Sequence, residues 1–218
     1  MVRPRLAVLI PAHHEENTIG SVVAEAGKYG EVVVVDDASS DGTSDRAREA
    51  GAKVFRNEAN LGYEGTLNRL FELADELGFT HAVTIDADGE HAPHLLERFR
   101  HELIERDVPL VLGYRPRKQR FSEVVMGYLI KAKYGVEDIL CGMKGYDLAL
   151  WRRHGGFDGN GLIGTELAIS AIAAGIPFTQ IAVNGTRRTD QPRFDGRLRA
   201  NLRIFAALRR IIAAPPSL

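Results

Sequence analysis

The sequence predicts a protein of the α/β class, with a mostly parallel β-sheet flanked by helices. Four successive segments in about the first hundred residues each combine a short apolar run, a polar turn and a stretch with apolar residues at helical spacing. The apolar runs are continuous, which is typical of strands that are buried on both faces of a parallel sheet. A polar cluster follows each run directly, so we expect the ligand at the carboxyl ends of the strands.

The first two units show this pattern most clearly. LAVLI (6–10) predicts a strand that ends at Pro11, and Asn17 is placed to cap a helix whose apolar residues are Ile19, Val22, Val23 and Ala26. EVVVV (31–35) predicts a second strand that is buried on both faces. The turn and capping residues DDASSDGT follow it, and then a helix that extends through Ala50.

The pattern repeats twice more and then becomes less regular. AKVF (52–55) predicts a strand before a helix from Thr66 to Leu77, and HAVTI (81–85) predicts a strand before a helix that Pro93 opens. The remaining predicted elements are strands in VPLVLG (108–113) and PFTQIAV (177–183), helices over 124–134 and 165–174, and an arginine-rich amphipathic helix over 198–212. No linker or repeat interrupts this order, so residues 1–218 are predicted to form a single domain.

Composition restricts the class of protein. A hydrophobic content of 44% in 218 residues is ordinary for a globular domain. The single cysteine, Cys141, excludes an internal disulfide framework and a multi-cysteine zinc site, and we expect it to be packed or to line a site. No apolar run approaches the roughly 18 residues of a spanning helix, and the N-terminus lacks the features of a signal peptide. We therefore expect a cytoplasmic protein.

The net charge of −1 conceals a strongly basic C-terminal segment. Eight arginines stand against two aspartates between Arg187 and Arg210, which gives this segment a local charge of +6. Such a segment attracts anions. Phosphate, anionic lipid and nucleic acid all satisfy this requirement, so the sign of the charge alone selects no partner.

The stretch HAVTIDADGEHAP (81–93) contains carboxylates at two-residue spacing directly after a predicted strand. Asp86 and Asp88 would repel each other unless a positive charge lies between them. Mg²⁺ and Mn²⁺ are bound by one or two carboxylates together with substrate phosphates, and Glu90 continues the same spacing. The alternative is a turn in which Asp86 and Asp88 accept hydrogen bonds from loop amides.

Further polar loops follow the first two predicted strands. Asp36 and Asp37 come directly after EVVVV, where a carboxylate can accept hydrogen bonds from a ribose or a base. Capping of the next helix is the alternative role, and it suits the neighbouring residues Ser39, Ser40 and Asp41 better than Asp37. The first loop, PAHHEEN, places Glu15 with two adjacent histidines beside this cluster.

These motifs together resemble a known enzyme family. "IPAHHEENTIG", "VVVVDDASSDGT", "NLGYEGTLNRLFELA", "TIDADGEHAP" and "VLGYR" are similar, in order and spacing, to the conserved blocks of inverting family-2 glycosyltransferases of the GT-A fold. Dolichol-phosphate mannose synthase-like enzymes are the members that the chain resembles in particular. The resemblance covers about the first 115 residues and extends more loosely to "DILCGMKGY" and "TELAISAIAAG". It implies a GT-A fold, with a mostly parallel Rossmann-like sheet flanked by helices.

The resemblance also implies a role for each matching position. Arg115 matches the arginine of a Gly-Ser-Arg block and would face the sugar-linked phosphate or the acceptor, although Tyr114 replaces the serine. A nucleoside would lie against the loops after the first two strands, and the ribose and a Mg²⁺ or Mn²⁺ ion against the loop after the fourth. The implied residues are Pro11, Ala12, Glu15 and Asp37 for the nucleoside, Asp86 for ribose and metal, and Asp88 and Glu90 for the metal, Glu90 standing where related enzymes usually have glutamine.

Two carboxylates are candidates for the catalytic acid-base group. Many relatives that glycosylate hydroxyls carry a Thr-Glu-Asp block whose aspartate takes the proton, and Leu167 occupies that position here. Either Glu166 is the base, or the acceptor is an anionic phosphate that needs none; Glu166 could also be a first-turn carboxylate favoured by the helix dipole. Asp138 of "DILCGMKGY" is the other candidate, with Cys141 in place of a serine.

We therefore expect a metal-dependent inverting glycosyltransferase that moves a sugar from a UDP- or GDP-linked donor to a cell-envelope glycan or glycolipid. The alternatives are a polyprenyl-phosphate sugar synthase and an inactive nucleotide-sugar-binding domain. Residues 1–115 would bind the nucleotide sugar and 116–195 the acceptor, while 196–218 would form a basic helix able to contact the inner face of a membrane peripherally. We expect no nucleic-acid partner. A short segment between Arg115 and Asp138 and the lack of membrane helices favour a hydroxyl acceptor over a lipid phosphate.

Overall fold

A mixed α/β sheet organises the part of the chain that the computed structural model describes, namely residues 3–116, 121–155 and 165–184, without the side chains of 121–126. Seven strands in these ranges form one sheet in the order β3-β2-β1-β4-β6-β5-β7. The strands are β1 Leu6–Ala12, β2 Glu31–Asp36, β3 Lys53–Arg56, β4 His81–Thr84, β5 Leu110–Tyr114, β6 Lys144–Asp147 and β7 Phe178–Ala182. All neighbouring strands run parallel except β6, which runs antiparallel to both β4 and β5.

Helices cover both faces of the sheet. In the described ranges they are α1 Ile19–Ala26, α2 Thr43–Glu49, α3 Gly62–Glu76, α4 Leu96–Arg100, α5 Phe121–Tyr134, α6 Leu148–His154 and α7 Glu166–Ala173. A 3₁₀ turn, Pro93–Leu95, precedes α4, and a π-helical turn, His101–Glu105, follows it. None of these helices is long and apolar enough to cross a lipid bilayer.

The valine run of β2 shows why the strands carry continuous apolar sequence. Val33 and Val35 belong to a core with α3, α6 and α7 on one face of the sheet. Val32 and Val34 belong to a second core with α1, α2 and α4 on the other face. Successive side chains of a strand point to opposite faces, so a strand covered on both sides must be apolar throughout. The predicted fold class is confirmed.

Several predicted boundaries are wrong by a few residues. Strand β1 continues through Pro11 and Ala12, which pair with β2. On the other side, the pairing of β1 with β4 ends at Leu9 and Thr84. The missing N–H of Pro11 therefore removes no hydrogen bond between β1 and β4, and the proline does not end the strand. Asn17 does not cap α1, whose N-cap is Thr18. The third helix begins at Gly62, four residues before the predicted Thr66.

The segment after α5 holds two elements that the sequence did not predict. Strand β6 inserts between β4 and β5, and α6 follows it directly. Asp147 ends the strand and caps α6, since its Oδ1 accepts a hydrogen bond from Ala149 N at 2.8 Å. Gly155 ends the helix with a left-handed φ of 81°. The arginine-rich segment from Arg187 and the predicted helix over 196–218 lie outside the described residues.

Candidate active site at the carboxyl ends of the strands

The sheet brings together the loops that carry the predicted site residues. Strand β1 lies between β2 and β4 and runs parallel to both, so the carboxyl ends of the three strands meet at one edge. Asp37 follows β2, Glu15 follows β1, and Asp86 and Asp88 follow β4. The predicted nucleoside and metal residues therefore share one edge of the sheet.

Asp86 occupies the centre of this edge. Its side chain is 30% exposed, and Oδ2 lies 3.3 Å from His91 Nδ1. Burial raises the pKa of the Asp86 carboxyl; the His91 imidazole opposes this effect, and the Asp88 carboxylate adds to it. The backbone of Gly142 packs against the Asp86 carboxylate so closely that a β-carbon at position 142 would collide with it. Any other residue at position 142 would therefore force the Asp86 carboxylate to move.

The loop from Asp86 to Glu90 makes a tight turn. Asp88 Oδ1 accepts a hydrogen bond from Glu90 N at 3.0 Å, and Gly89 adopts a left-handed φ of 73°. In the described ranges, no three side chains among histidine, cysteine, aspartate and glutamate are arranged to hold a metal ion. The loop thus offers Asp86 and Asp88 without an all-protein cage, and the predicted third ligand, Glu90, is not assembled with them.

His91 places a positive charge beside Asp86. The imidazole is buried, and its Nε2 lies 3.9 Å from the Cys141 sulfur. Burial lowers the pKa of His91, but the hydrogen bond to Cys141 and the nearby Asp86 carboxylate outweigh burial and raise the pKa to about 9. Cys141 is fully buried and lines the site, as expected from the sequence.

On the nucleoside side, protein donors already contact the predicted carboxylates. Asp37 is 4% exposed, and its Oδ1 accepts hydrogen bonds from Asn57 Nδ2 at 2.7 Å and Leu61 N at 2.8 Å. Its Oδ2 accepts from Gly62 N at 2.9 Å, so Asp37 holds the start of α3. The Glu15 carboxylate accepts a hydrogen bond from the Thr18 hydroxyl at 3.1 Å.

The first strand forms the remaining wall of this loop. Pro11 is half-buried and Ala12 is buried; their register partners on β2 are Val35 and Asp36, and Ala12 O accepts a hydrogen bond from Asp37 N at 2.8 Å. The next residue, His13, places its Nδ1 2.8 Å from the Asp37 carbonyl oxygen. The backbones of the two strand ends are therefore tied to each other.

Arg115 and Asp138 form a bidentate ion pair on the other side of Asp86. Asp138 Oδ2 accepts from Arg115 Nε at 2.7 Å, and Oδ1 accepts from Arg115 Nη2 at 3.2 Å. The backbone N–H groups of Arg115 and Leu140 also donate to this carboxylate. Burial acts to raise the pKa of Asp138, but Arg115 outweighs it and lowers the pKa. A carboxylate held this way is a poor proton acceptor, so the geometry favours a role for Asp138 in orienting Arg115 over the predicted acid-base role.

Glu166 begins α7 beneath the same edge. It is 1% exposed, and its charge influences Lys144 and Tyr146 of β6. Burial, together with Glu166, raises the pKa of the Tyr146 hydroxyl. The structure thus buries Glu166 where its charge reaches β6, and the chain segment before Thr165 lies outside the described residues.

The sequence that carries these groups matches a known protein family. A model of the family described as glycosyl transferase family 2 matches residues 7–134, which is more than half of the chain. The chain belongs to glycosyl transferase family 2. The family and the enzyme class that the motifs predicted are confirmed, and the matched region contains the nucleoside loops, the Asp86 loop and Arg115.

Relatives of this family 2 glycosyltransferase include enzymes named for lipid-phosphate acceptors. The chain is 32% identical over 127 residues to UDP-N-acetylglucosamine--dolichyl-phosphate N-acetylglucosaminyltransferase of Methanococcus voltae, which covers 50% of this chain and 51% of that protein. It is 29% identical over 204 residues to dolichyl-phosphate hexose transferase of Haloferax volcanii, which covers 87% of this chain and 86% of that protein. For three of the similar curated relatives, the match spans about half of the relative's length.

Solved structures with the same fold are GT-A glycosyltransferases. Glucosyl-3-phosphoglycerate synthase from Mycobacterium tuberculosis, in complex with Mn²⁺, UDP and glucosyl-3-phosphoglycerate, superposes with a TM-score of 0.73 at 23% identity. The superposition covers 96% of this chain and 78% of that chain. Mannosyl-3-phosphoglycerate synthase from Rubrobacter xylanophilus gives a TM-score of 0.71 at 20% identity, over 95% of this chain and 74% of that chain. The GT-A fold predicted for this family 2 glycosyltransferase is confirmed.

The Asp86 loop of the family 2 glycosyltransferase fits a divalent cation bound together with a diphosphate. The Asp86 side chain is partly open to solvent, and burial together with the Asp88 carboxylate raises its pKa; a bound cation would favour the charged form of this carboxylate. Mg²⁺ and Mn²⁺ keep several ligand positions for water and substrate phosphates, so one or two carboxylates from the protein suffice. The donor set of Asp86 and Asp88 therefore fits such an ion.

Sequence reasoning missed three residues of this site. His91 is part of the quoted motif, yet nothing in the motif predicts that its side chain turns back onto Asp86. Gly142 and Lys144 belong to β6 or the segment before it, which was predicted to be irregular. A sequence signal could have located Gly142 and Lys144. Asp147 and Gly155 are the caps that delimit α6, and a strand is the usual element before such a helix in an α/β fold.

Replacing Asp37 is expected to affect both folding and nucleotide binding. Asp37→Ala leaves the N–H groups of Leu61 and Gly62 and the amide of Asn57 without their acceptor, which costs on the order of 1–3 kcal/mol of stability. The melting temperature should fall by roughly 2–4 °C per kcal/mol, and nucleotide affinity should fall if the loop after β2 faces the nucleoside as predicted. Thermal unfolding and calorimetric titration with nucleoside diphosphate measure the two effects.

Glu58→Ala is the matched control for this prediction, because Glu58 is exposed in the loop between β3 and α3 that also contains Asn57 and Leu61. It should change neither quantity. An Asp37→Ala variant that binds nucleotide as tightly as the wild type would show that Asp37 only holds α3.

Proposed function

We propose that this chain is a metal-dependent inverting glycosyltransferase that moves a sugar from a UDP- or GDP-sugar to a cell-envelope glycan or glycolipid. The observation that carries the proposal is the position of Asp86 and Asp88. They lie after β4, between the nucleoside loops of β1 and β2 on one side and Arg115, after β5, on the other. A donor lying along this edge has its diphosphate at the two carboxylates and its sugar toward Arg115.

Each end of the donor has a matching group of residues. Pro11, Ala12, Glu15 and Asp37 would line the nucleoside end, where the half-buried Glu15 carboxylate and the buried Asp37 carboxylate can accept hydrogen bonds from N–H and hydroxyl groups. A divalent ion held by Asp86 and Asp88 would neutralise the negative charge that develops on the leaving diphosphate. The relatives that were solved with Mn²⁺ or Mg²⁺ and UDP support the same class of donor.

Arg115 and Glu166 supply the groups that the transfer step needs. An acceptor oxygen attacks the anomeric carbon from the face opposite the diphosphate, and the electron pair of the breaking bond leaves with the diphosphate. Arg115, oriented by Asp138, stabilises the negative charge near this centre. Glu166 accepts the proton when the attacking group is a hydroxyl.

A polyprenyl-phosphate sugar synthase is the second candidate. It is favoured by the relatives named for dolichyl-phosphate acceptors, one of which matches this chain over 86% of its own length. A phosphate oxygen is already anionic, so this reaction needs no base. Whether transfer requires Glu166 as a base therefore distinguishes a hydroxyl acceptor from a phosphate acceptor.

The proposal is tested by a binding panel followed by a transfer assay. UDP, GDP, CDP and the corresponding nucleotide sugars are titrated with Mn²⁺ and with EDTA while thermal unfolding is recorded. A ligand at about 100 times its dissociation constant stabilises the folded state by roughly 2.7 kcal/mol, so the matching donor should raise the melting temperature by several degrees only with Mn²⁺. Binding without transfer to any acceptor would identify an inactive nucleotide-sugar-binding domain, and no metal-dependent shift with any nucleotide would contradict the proposal.

A further inference from the structure

The Asp86 carboxylate lies against two groups to which the proposed function gives no role. One is the buried imidazole of His91, whose Nδ1 lies 3.3 Å from Asp86 Oδ2. The other is the backbone of Gly142, which packs against the same carboxylate. A residue that binds a substrate or an ion acts through the position of its oxygen atoms, so the groups that fix this position affect function.

His91 directs a hydrogen-bond donor at Asp86. The imidazole is 5% exposed, and its Nε2 lies 3.9 Å from Sγ of Cys141, a thiol that can donate a weak hydrogen bond. A neutral imidazole that accepts from this thiol carries its proton on Nδ1, and an imidazolium carries a proton there as well. The contact with Asp86 therefore presents an N–H group in both protonation states of His91.

Asp86 is the acceptor that this N–H group faces. Among the residues that the structure describes, the buried Nδ1 of His91 forms no hydrogen bond. A buried donor without a hydrogen bond costs free energy, and folded proteins rarely keep one that has no function. Oδ2 of Asp86, at 3.3 Å, comes within hydrogen-bonding geometry of Nδ1 after a small rotation of the carboxylate.

Gly142 limits the space on the side of β6. The three heavy atoms nearest to a β-carbon at position 142 would be Oδ2, Cγ and Oδ1 of Asp86. Gly142 itself is held by β4, because its carbonyl oxygen accepts a hydrogen bond from Thr84 Oγ1 at 2.6 Å. Thr84 is the last residue of β4 and lies two positions before Asp86. The strand that leads to Asp86 thus also holds the segment that packs against its carboxylate.

We propose that His91 is a positioning residue, which together with Gly142 holds the Asp86 carboxylate in the orientation that the nucleotide and its cation require. The inference rests on the proposed function and deepens it by assigning the residues that orient Asp86. His91 is buried, so it acts on a ligand at the edge of the sheet only through Asp86. Hydrogen-bonding partners of metal-binding carboxylates act in this way.

The test compares His91→Asn with His91→Leu. The two new side chains have a similar shape, but only asparagine has an amide nitrogen that can replace Nδ1 as a donor. His91→Leu should weaken the binding of UDP or GDP in the presence of Mn²⁺ by roughly 10- to 100-fold, the usual loss when a residue that supports a metal ligand is changed. His91→Asn should recover most of the affinity.

Packing effects do not produce this difference. Leucine is apolar and suits a buried position at least as well as asparagine, so a loss confined to His91→Leu cannot come from unfolding. Where the wild type binds nucleotide, equal affinities of the two variants would overturn the inference. His94→Leu is the matched control, because His94 is exposed three residues further along the same segment, and it should bind as the wild type does.

Gly142→Ala tests the second contact. The φ of Gly142 lies outside the left-handed region, so alanine adds no backbone strain and its methyl group acts by displacing the Asp86 carboxylate. Nucleotide affinity in Mn²⁺ should fall at least as far as in His91→Leu. Gly20→Ala is the control, since the nearest atom to a β-carbon there is Arg46 O at 3.8 Å. Wild-type affinity of Gly142→Ala would refute the role of Gly142.

Crystal structures of the ligand-free variants separate failure of this inference from failure of the proposed function. Without nucleotide or metal, the Asp86 carboxylate should keep its orientation in His91→Asn and take a different one, or several, in His91→Leu. This difference needs neither binding nor transfer, so it supports the positioning role even where no nucleotide binds. The same carboxylate orientation in the wild type and in His91→Leu would overturn the inference even where sugar transfer is observed.

Discussion

Asp88→Asn is expected to abolish the metal-dependent part of nucleotide binding. Asparagine retains an oxygen that can accept the hydrogen bond from Glu90 N, so the turn after β4 should keep its conformation and the protein its melting temperature. The variant loses the negative charge that a divalent cation requires. We expect affinity for UDP or GDP in the presence of Mn²⁺ to fall by about 100-fold, because even changes to residues that only support the metal ligands cost roughly 10- to 100-fold in metal affinity.

Two variants make this result specific. Asp45→Asn removes a carboxylate that is 80% exposed on α2 and should have no effect. Glu90→Gln tests the predicted third metal ligand; because no three-ligand cluster is formed by the described residues, we expect a smaller loss than with Asp88→Asn. Isothermal titration with Mn²⁺ and with EDTA measures all three. Wild-type affinity of Asp88→Asn in Mn²⁺ would show that the metal assignment is wrong.

The sheet was predictable because its parallel strands consist of continuous runs of apolar residues. The side chains of the four valines in β2 point alternately to both faces of the sheet, so both faces must be covered by an apolar core. Two such cores imply helices on both sides of the sheet. Strand β6 could not be predicted in the same way. It has only four residues, KGYD, without apolar alternation, and it is formed because β4 and β5 each offer it an unpaired edge. Pairing partners distant in sequence, and not local propensity, determine such a strand.

The location of the site was predictable for a related reason. The carboxyl ends of parallel strands meet at one edge, so the polar residues after β1, β2 and β4 had to lie together. The contacts of individual carboxylates were not predictable. Asp37 accepts hydrogen bonds from residues 20 to 25 positions away, and Asp138 pairs with an arginine 23 positions away. Whether residues so far apart in sequence come into contact depends on how α3 and β6 are placed, and the sequence pattern does not predict that placement.

The arrangement of charges explains why carboxylates that look alike in sequence have different chemistry. Asp138 forms an ion pair with Arg115, which lowers the pKa of Asp138 against the effect of burial, whereas burial and Asp88 raise the pKa of Asp86. Asp138, with its lowered pKa, is a stable anion. The charged form of Asp86 is disfavoured, so a bound cation would stabilise it most. Glu166 differs from both, because it is buried beside Lys144 in the acceptor half. Its role therefore has to be tested by the reaction itself.

Glu166→Gln is expected to lower the rate of transfer by something like 10²- to 10⁴-fold if the acceptor group is a hydroxyl. The glutamine has the same shape as glutamate but cannot accept the proton. Nucleotide affinity should remain at the wild-type value, because Glu166 lies outside residues 1–115, which are proposed to bind the nucleotide. The acidic limb of the pH–rate profile, where protonation of the base stops the wild-type reaction, should disappear in the variant; a purely structural role would not change the shape of this profile.

The outcome of this substitution distinguishes the two acceptor chemistries. A lipid phosphate or another anionic oxygen attacks without a base, so Glu166→Gln would then transfer at nearly the wild-type rate. A phosphorylated acceptor that reacts through a separate hydroxyl would still need Glu166 to take the proton, so the substitution would be damaging with that acceptor. Glu97→Gln, an exposed carboxylate on α4, serves as the control. Wild-type rates for Glu166→Gln on every accepted substrate would refute the hydroxyl mechanism that we favour.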